Sequence, residues 1–181
     1  MGSDKGLLKL EAKTWAQTAF DKLTALELAI VLSVNEKQRK DYTAAFNSNE
    51  LICDDRSLSI HGPLAGVLSV HLQHPAEDLL VLACDMPLME TDLLKELLHL
   101  HQQHSAKAAF VYASDGEPEP LCGIYKSGGL SHILSLYRNN QLARHSMKYM
   151  LEHIATLLVP IPDDKKKCFR NFNAHAELNG L

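Results

Sequence analysis

The clearest candidate for chemistry in this sequence is Asp85, a carboxylate that directly follows an apolar run. The run, residues 79–84, joins five aliphatic residues to Cys84 without a break, which is typical of a strand covered on both faces. Pro87 prevents the run from continuing as a central strand, so Asp85 is placed at the carboxyl end of that strand. A carboxylate there can hold a divalent cation beside a phosphate. In isolation, a turn aspartate that ends the strand explains the pattern slightly better.

Two other apolar segments also end in polar side chains. Asn35 follows residues 27–34, and Asp55 follows the short run Leu51–Cys53. Taken alone, Asn35 also fits an ordinary turn residue. Because ligands in open α/β sheets bind beyond the carboxyl ends of the strands, the repetition predicts a site along one edge of a sheet.

The segment Gly62-Pro-Leu-Ala-Gly66 predicts a tight entry into a helix over residues 64–71. Pro63 suits the first turn of a helix, and Gly62 permits close approach of a ligand to the backbone. The free N–H groups of such a helix start favour an anion or a polar base edge. A simple Gly-Pro turn is the alternative.

The first residues of the chain contain Lys5 between Gly2 and Gly6, and this lysine could reach a phosphate. On this stretch alone, a solvated terminal segment is the better interpretation. The ten histidines are scattered, and the pairs at helical spacing, 71/74 and 101/104, fit surface histidines better than a zinc site.

The elements that must position these residues alternate between strands and helices. The apolar periodicity predicts strands over 27–34, 51–53, 79–84, 108–113, 120–125 and 156–161, the fifth of them antiparallel after an Asp-Gly turn. It predicts helices over 14–26, 38–46, 64–71, 91–104, 130–137 and 146–154, a solvated loop at 165–167 and a short final helix after Asn173.

Composition places the chain among globular proteins with one domain over residues 1–181. Its 46% apolar content suits a proper core, and a net charge of -4 argues against nucleic acid or an anionic membrane as a partner. The four cysteines are far apart, which favours free thiols over a disulfide framework or a zinc site. Since the sequence shows neither a signal peptide nor a membrane span, we expect a soluble cytoplasmic protein.

Taken in order, these motifs resemble the molybdenum cofactor guanylyltransferases of the nucleotidyltransferase superfamily, and the resemblance extends over essentially all 181 residues. The Gly-Pro-Leu-Ala-Gly run favours the guanylyl enzymes over related cytidylyltransferases. The motifs that carry the resemblance are Asp4-Lys-Gly-Leu-Leu8, Asp55, Gly62-Pro-Leu-Ala-Gly66, Cys84-Asp-Met-Pro-Leu88 and Asn171-Phe-Asn173.

The resemblance implies an α/β fold with a Rossmann-like, mostly parallel, doubly wound sheet and helices on both faces. It implies transfer of GMP from GTP to the phosphate of molybdopterin, with Mg²⁺ as cofactor and pyrophosphate as the second product. Molybdoenzymes or their chaperones are the implied protein partners.

The resemblance also assigns roles to individual residues. Lys5 and Asp85 would be catalytic, with Lys5 on the GTP phosphates and Asp85 on the magnesium ion. The implied nucleotide-binding residues are Lys5, Asn35, Asp55, Gly62, Pro63, Leu64, Ala65, Gly66 and Asp85, and the implied molybdopterin-side residues are Arg144, Asn171 and Asn173.

The family normally opens with a buried strand and a glycine-rich phosphate loop, and the printed sequence begins at the Met-Gly that follows them. We therefore expect a domain whose first strand is missing, with unpaired strand edges and exposed apolar surface. Two alternatives to guanylyl transfer to molybdopterin stay open. One is a related nucleotidyltransferase that uses CTP or a sugar phosphate, and the other is a non-catalytic scaffold.

Overall fold

The computed structural model describes residues 4–10 and 12–172, and that part of the chain forms a mixed α/β fold. From residue 15 onward, helices and strands follow in the order that the sequence predicts, and two short strands that were not predicted precede them. The strands are β1 (Lys9–Leu10), β2 (Lys13–Thr14), β3 (Leu32–Val34), β4 (Leu51–Cys53), β5 (Leu79–Leu82), β6 (Ala109–Ser114), β7 (Glu117–Tyr125) and β8 (Thr156–Pro160). The helices are α1 (Trp15–Thr24), α2 (Glu36–Tyr42), α3 (Pro63–Gln73), α4 (Thr91–Gln103), α5 (Ser127–Arg138) and α6 (Met147–Leu151), with 3₁₀ turns at Lys5–Leu7, Ser48–Glu50 and Asp163–Phe169.

The larger sheet has four strands in the order β5-β7-β6-β8. Strands β6 and β8 are parallel, whereas β7 is antiparallel to both of its neighbours, β5 and β6. The turn between β6 and β7 is the predicted Asp-Gly turn. Asp115 and Gly116 both have positive φ angles, 52° and 84°, as a tight hairpin of this kind requires.

Strands β3 and β4 form a separate parallel pair, with Ser33 opposite Ile52. Helix α3 packs against this pair through Gly66. A β-carbon at Gly66 would overlap the Ser33 hydroxyl, so only glycine allows the helix to approach so closely.

Helices cover both faces of the four-stranded sheet and form one hydrophobic core with each face. Alternate side chains of β6 therefore pack into opposite cores. Ala109 and Val111 pack with α3, α5 and α6, whereas Phe110 and Tyr112 pack with α4. Each fully buried large side chain contributes about 1.5–3 kcal/mol of hydrophobic stabilisation. The expected doubly wound arrangement is therefore present, with β7 as an antiparallel strand inside it.

Two strands predicted to be buried are only partly so. Residues 27–34 were expected to form one buried strand, but the structure has a strand only at Leu32–Val34, and Leu28 is 42% exposed. Strand β5 was expected to be covered on both faces, but all four of its residues are only half-buried. The incomplete burial has the same cause in both strands. Within the described residues, each strand has a neighbouring strand on one edge and an open cleft on the other.

Two further differences are local. The helix predicted over 38–46 lies at Glu36–Tyr42, because Asn35 caps its start. The lysine run at 165–167, predicted to be a solvated loop, belongs to the 3₁₀ turn Asp163–Phe169, where Lys165 pairs with Glu90. All four cysteines are free thiols, as expected. Among the helices of the described residues, none has the length and apolarity needed to cross a membrane.

Candidate nucleotide site

A cleft of about 930 Å³ separates β3 from β5. Its walls are the apolar segments 28–34 and 79–84, and polar side chains follow both of them at one end. Asn35, Asp54 and Asp85 all line the cleft, so polar residues from the ends of three strands meet there, although the sequence predicted Asp55 in place of Asp54.

Lys5 and Asp85 form an ion pair at this end of the cleft. The Lys5 ammonium nitrogen lies 3.3 Å from Oδ2 of Asp85, and the two side chains are 43% and 20% exposed. Lys5 belongs to a 3₁₀ turn that begins the described chain, and Asp85 follows β5. Because both side chains are accessible to solvent, the ion pair can break and each partner can bind a ligand of opposite charge instead.

The turn that carries Lys5 is fastened to α2 through the carboxylate of Asp4. Its Oδ1 accepts hydrogen bonds from the Gly6 N–H at 2.9 Å and from the Tyr42 hydroxyl at 3.0 Å, while the Gln38 amide donates to Oδ2. A β-carbon at Gly6 would overlap the Tyr42 hydroxyl. For residues 4–8 the solvated terminal segment favoured for residues 1–10 is therefore wrong, because Gly6 is buried under Tyr42, and residues 1–3 lie outside the described residues.

Tyr42 acts only as a donor in this network. Burial raises the pKa of its hydroxyl, and the neighbouring Cys84 and Asp4 raise it further, so the phenol stays protonated. Asn35 also has a structural role, because it caps α2. Its Oδ1 accepts hydrogen bonds from the backbone N–H groups of Lys37 and Gln38, each at 3.0 Å. Its predicted nucleotide contact remains a prediction, from a residue that lines the cleft.

Two adjacent aspartates at the end of β4 have different surroundings. Asp55 accepts a hydrogen bond from the Ser57 N–H at 2.8 Å and forms a local turn, and it is not among the residues that line the cleft. Asp54 does line the cleft, and burial raises the pKa of its carboxyl. The nucleotide role assigned to Asp55 stays a prediction, but Asp54 is better placed for it.

The glycine-proline segment starts α3 as predicted. Gly62 has a φ of 81° and precedes Pro63, the first residue of the helix, and both line the cleft together with Gly66. Leu64 and Ala65 point instead into the core, where they are 0% and 1% exposed. Any part that these two residues take in binding a nucleotide must therefore come through their backbone.

The end of the described chain returns to the same site. The Phe172 N–H donates to the Asp85 carbonyl oxygen at 3.0 Å, and the buried Phe172 ring meets Trp15 edge to face at 6.5 Å. Asn171 is exposed beside this contact, and Asn173 lies outside the described residues. Their roles on the acceptor side remain predictions.

Arg144 does not reach the cleft. Its guanidinium lies over the Tyr149 ring at 5.6 Å, on the exposed connection between α5 and α6. The structure therefore places Arg144 apart from Asn35, Gly62 and Asp85, which line the cleft.

A Mg²⁺ ion fits this site if the protein and the substrate phosphates coordinate it together. No group of three or more His, Cys, Asp or Glu side chains within the described residues could enclose a metal ion. Mg²⁺ is commonly held by one or two carboxylates together with substrate phosphates and water, and Asp85 supplies one accessible carboxylate.

Four residues of the site were not assigned roles by sequence reasoning, namely Asp4, Gln38, Tyr42 and Asp54. For two of these four residues, the sequence contains a pattern that could have identified them. Gln38 stands three residues after Asn35, the spacing of a capping box, and Asp54 is adjacent to Asp55. Asp4 and Tyr42 meet only through the tertiary fold.

Comparison with known proteins agrees with this geometry. Residues 1–161 match the MobA-like NTP transferase domain. The chain is 28% identical over 181 residues to a Flavobacterium johnsoniae protein named "probable molybdenum cofactor guanylyltransferase", covering all of this chain and 89% of that protein. It is 32% identical over 118 residues to the molybdenum cofactor guanylyltransferase of Shewanella halifaxensis, which covers 65% of this chain but only 56% of the relative.

A solved structure has a similar fold. The molybdopterin-guanine dinucleotide biosynthesis protein A of Archaeoglobus fulgidus has a TM-score of 0.78 and 20% identity, covering 99% of this chain and 89% of that one. The sheet and helices of this chain thus have the nucleotidyltransferase fold. Because the domain match takes in most of the sequence, the chain belongs to the MobA-like NTP transferase family.

Proposed function

We propose that this chain transfers GMP from GTP to the terminal phosphate of molybdopterin and releases pyrophosphate. The observation that carries the proposal is the pair of Lys5 and Asp85, an exchangeable cation and anion 3.3 Å apart, whose aspartate lines the same cleft as the start of α3. The relatives named as molybdenum cofactor guanylyltransferases support the choice of substrates.

In the proposed reaction, an oxygen of the molybdopterin phosphate attacks the α-phosphorus of GTP. A new P–O bond forms, the bond to the pyrophosphate oxygen breaks, and pyrophosphate leaves with the bonding electron pair. Because a phosphate dianion is already a nucleophile, no strong general base is needed. Catalysis then depends on alignment and on neutralising negative charge.

The chain's own residues supply these functions as follows. Lys5 leaves Asp85 to contact the triphosphate, and the Asp4 network keeps the turn of Lys5 in place during that exchange. Asp85 would hold Mg²⁺, which neutralises phosphate charge when bound. The amino end of α3 offers the backbone N–H groups of Gly62 and Leu64 to the nucleotide, whereas Pro63 has none.

We assign the remaining predicted residues to the two substrates in the same way. Asn35, Asp54 or Asp55, and the Gly62–Gly66 backbone belong to the nucleotide side, and Asn171 and Asn173 belong to the molybdopterin side. The four free thiols are consistent with work in the cytoplasm. Molybdoenzymes or their chaperones would receive the product.

A pyrophosphate-release assay tests the proposal. Purified protein is incubated with Mg²⁺, with GTP or CTP as donor and with molybdopterin or a sugar phosphate as acceptor. We expect release only with GTP and molybdopterin together. Release with CTP or with a sugar phosphate would assign a different transferase activity. GTP binding by calorimetry without release from any pair would support the non-catalytic scaffold.

A further inference from the structure

The loop that carries Asp85 contains a tight turn. The loop connects β5 to α4 over residues 83–90, and Met86 and Met89 are each only 2% exposed. The Met89 N–H donates to the Met86 carbonyl at 3.1 Å, which closes a turn around Pro87. Because Asp85 directly precedes this turn, a shift of the turn moves the carboxylate that is proposed to hold Mg²⁺.

The carbonyl oxygen of Pro87 accepts a hydrogen bond from the side chain of Lys22. The Lys22 Nζ lies 2.5 Å from this oxygen, although 65 positions separate the two residues in the sequence. Within the described residues, no backbone N–H donates to the same oxygen. Pro87 is buried, and a buried carbonyl without a donor is unfavourable. The turn around Pro87 therefore depends on Lys22.

Apolar packing brings Lys22 to this turn. Lys22 belongs to the last turn of α1 and is half-buried. The neighbouring Leu23 and Leu26 pack against the same hydrophobic core that contains Met86 and Met89. Helix α1 and the Asp85 loop thus share one core, and this contact sets where the Lys22 side chain begins.

The surroundings of Lys22 do not favour a cation. Burial lowers the pKa of its ammonium group, and the nearby Cys168 thiol opposes this only in part. By contrast, Lys95 is exposed and pairs with the carboxylate of Asp92. A half-buried ammonium without a carboxylate partner is a poor source of stability. This cost favours a role for Lys22 in the loop that it holds.

The two ends of the loop are held by the last part of the described chain. The Phe172 N–H donates to the Asp85 carbonyl at 3.0 Å. The Glu90 carboxylate accepts hydrogen bonds from the Lys165 ammonium and, at 3.4 Å, from the Cys168 thiol. These contacts leave the turn between Asp85 and Glu90 to the lysine of α1.

We infer that Lys22 is a positioning residue for Asp85, and this inference rests on the function proposed above. Lys22 acts through the Pro87 carbonyl and not by contact with the metal ion or a substrate. Mg²⁺ requires a nearly ideal octahedral geometry, with ligand distances of about 2.0–2.1 Å. A small displacement of a carboxylate ligand therefore weakens its hold on the ion.

Hydrogen exchange of single amides, measured by NMR, tests whether Lys22 holds the loop. Lys22→Met removes the donor and keeps the length of the side chain. We expect exchange at Met89 and Phe172 to become about tenfold faster, because the loop opens to hydrate the Pro87 carbonyl. The Ile161 N–H bonds to the Ala113 carbonyl inside the sheet, so its rate should not change. Lys22→Arg keeps a cationic donor and should restore most of the protection.

The Mg²⁺ dependence of pyrophosphate release tests whether the loop matters for the reaction. We expect Lys22→Met to raise the Mg²⁺ concentration for half-maximal rate about tenfold, with a smaller change in the rate at saturating Mg²⁺. A purely structural role would lower the amount of active enzyme and leave the Mg²⁺ dependence unchanged. The matched control is Lys95→Met, which removes an exposed lysine and should alter neither quantity.

The two measurements separate this inference from the proposed function. If the wild type releases no pyrophosphate with any substrate pair, the proposed function fails, and the exchange rates still decide whether Lys22 holds the loop. Unchanged exchange in Lys22→Met, or equal acceleration at Ile161, would overturn the inference. An unchanged Mg²⁺ dependence in an active enzyme would also overturn it, as would a Lys22→Arg variant that behaves like Lys22→Met.

Discussion

Lys5 and Asp85 stand 80 positions apart in the sequence, and their side chains meet at 3.3 Å. This pair fixes the first turn of the described chain to the end of β5. Because both partners remain partly exposed, the pair is worth at most about 1 kcal/mol to stability. Under the proposed function its importance is positional, since it would set where a phosphate and a metal ion meet.

Replacing Asp85 with Asn should abolish magnesium-dependent transfer while the fold is kept. The amide retains the size of the side chain but loses the charge that would hold the cation, so we expect a fall in rate of about a hundredfold or more. Pyrophosphate release measures it. The control is Asp92→Asn, which removes an exposed carboxylate paired with Lys95. Wild-type rates from the Asp85 variant would refute the metal assignment.

Replacing Tyr42 with Phe should loosen the turn that carries Lys5. The hydroxyl donates to Asp4 at 3.0 Å, and the loss of a hydrogen bond to a charged group costs about 1.5 kcal/mol. Urea unfolding should show that loss, and GTP affinity should fall with it. Gly6→Ala should have a larger effect, because the new methyl group overlaps the Tyr42 hydroxyl. In the Tyr42→Phe background, Gly6→Ala should cost less than in the wild type.

Replacing Asn171 or Asn173 with Ala should weaken molybdopterin binding and leave GTP binding nearly unchanged. Asn171 lies beside Phe172, whose N–H donates to the Asp85 carbonyl, so this late segment reaches the site although it is far in the sequence from the Gly62 turn. Titration calorimetry with each ligand separates the two effects. Equal losses for both ligands would contradict the division.

Replacing Asp54 with Asn should stabilise the protein at neutral pH. Burial raises the pKa of this carboxyl, so the folded state binds its proton more tightly than the unfolded state does. That contribution is present in acid and is lost as pH rises through the folded pKa. The variant should therefore be more stable than the wild type at pH 7, and the difference should shrink toward pH 4. Urea unfolding at both pH values tests this, and an equal gain at the two would exclude a charge effect.

The sequence alone was sufficient to predict the elements whose apolar residues recur at a regular spacing. The helix at Thr91–Gln103 buries Leu93, Leu94 and Leu97 on one face, as its spacing predicts. The Asp115-Gly116 turn and the antiparallel β7 were also predicted correctly, because a two-residue turn with positive φ angles has few solutions.

Other features depend on contacts that no local pattern contains. The sequence of residues 27–34 is typical of a buried strand. Within the described residues, however, only Leu32–Val34 has a neighbouring strand with which to form interstrand hydrogen bonds. Asp54 and Asp55 are chemically identical, and only the fold shows that Asp54 lines the cleft and Asp55 does not. The Asp4 network likewise joins residues that are more than thirty positions apart.

Strand β7 has a consequence for the order of folding. It is the only link between β5 and the rest of the larger sheet, because β5 pairs with no other strand in the described residues. The β6–β7 hairpin closes a two-residue turn and forms within microseconds, whereas β5 must close a much longer loop before it can pair. We therefore expect the hairpin to form before Asp85 takes its place. A change that disfavours positive φ at Gly116 should delay assembly of the site, although Gly116 itself does not line the cleft.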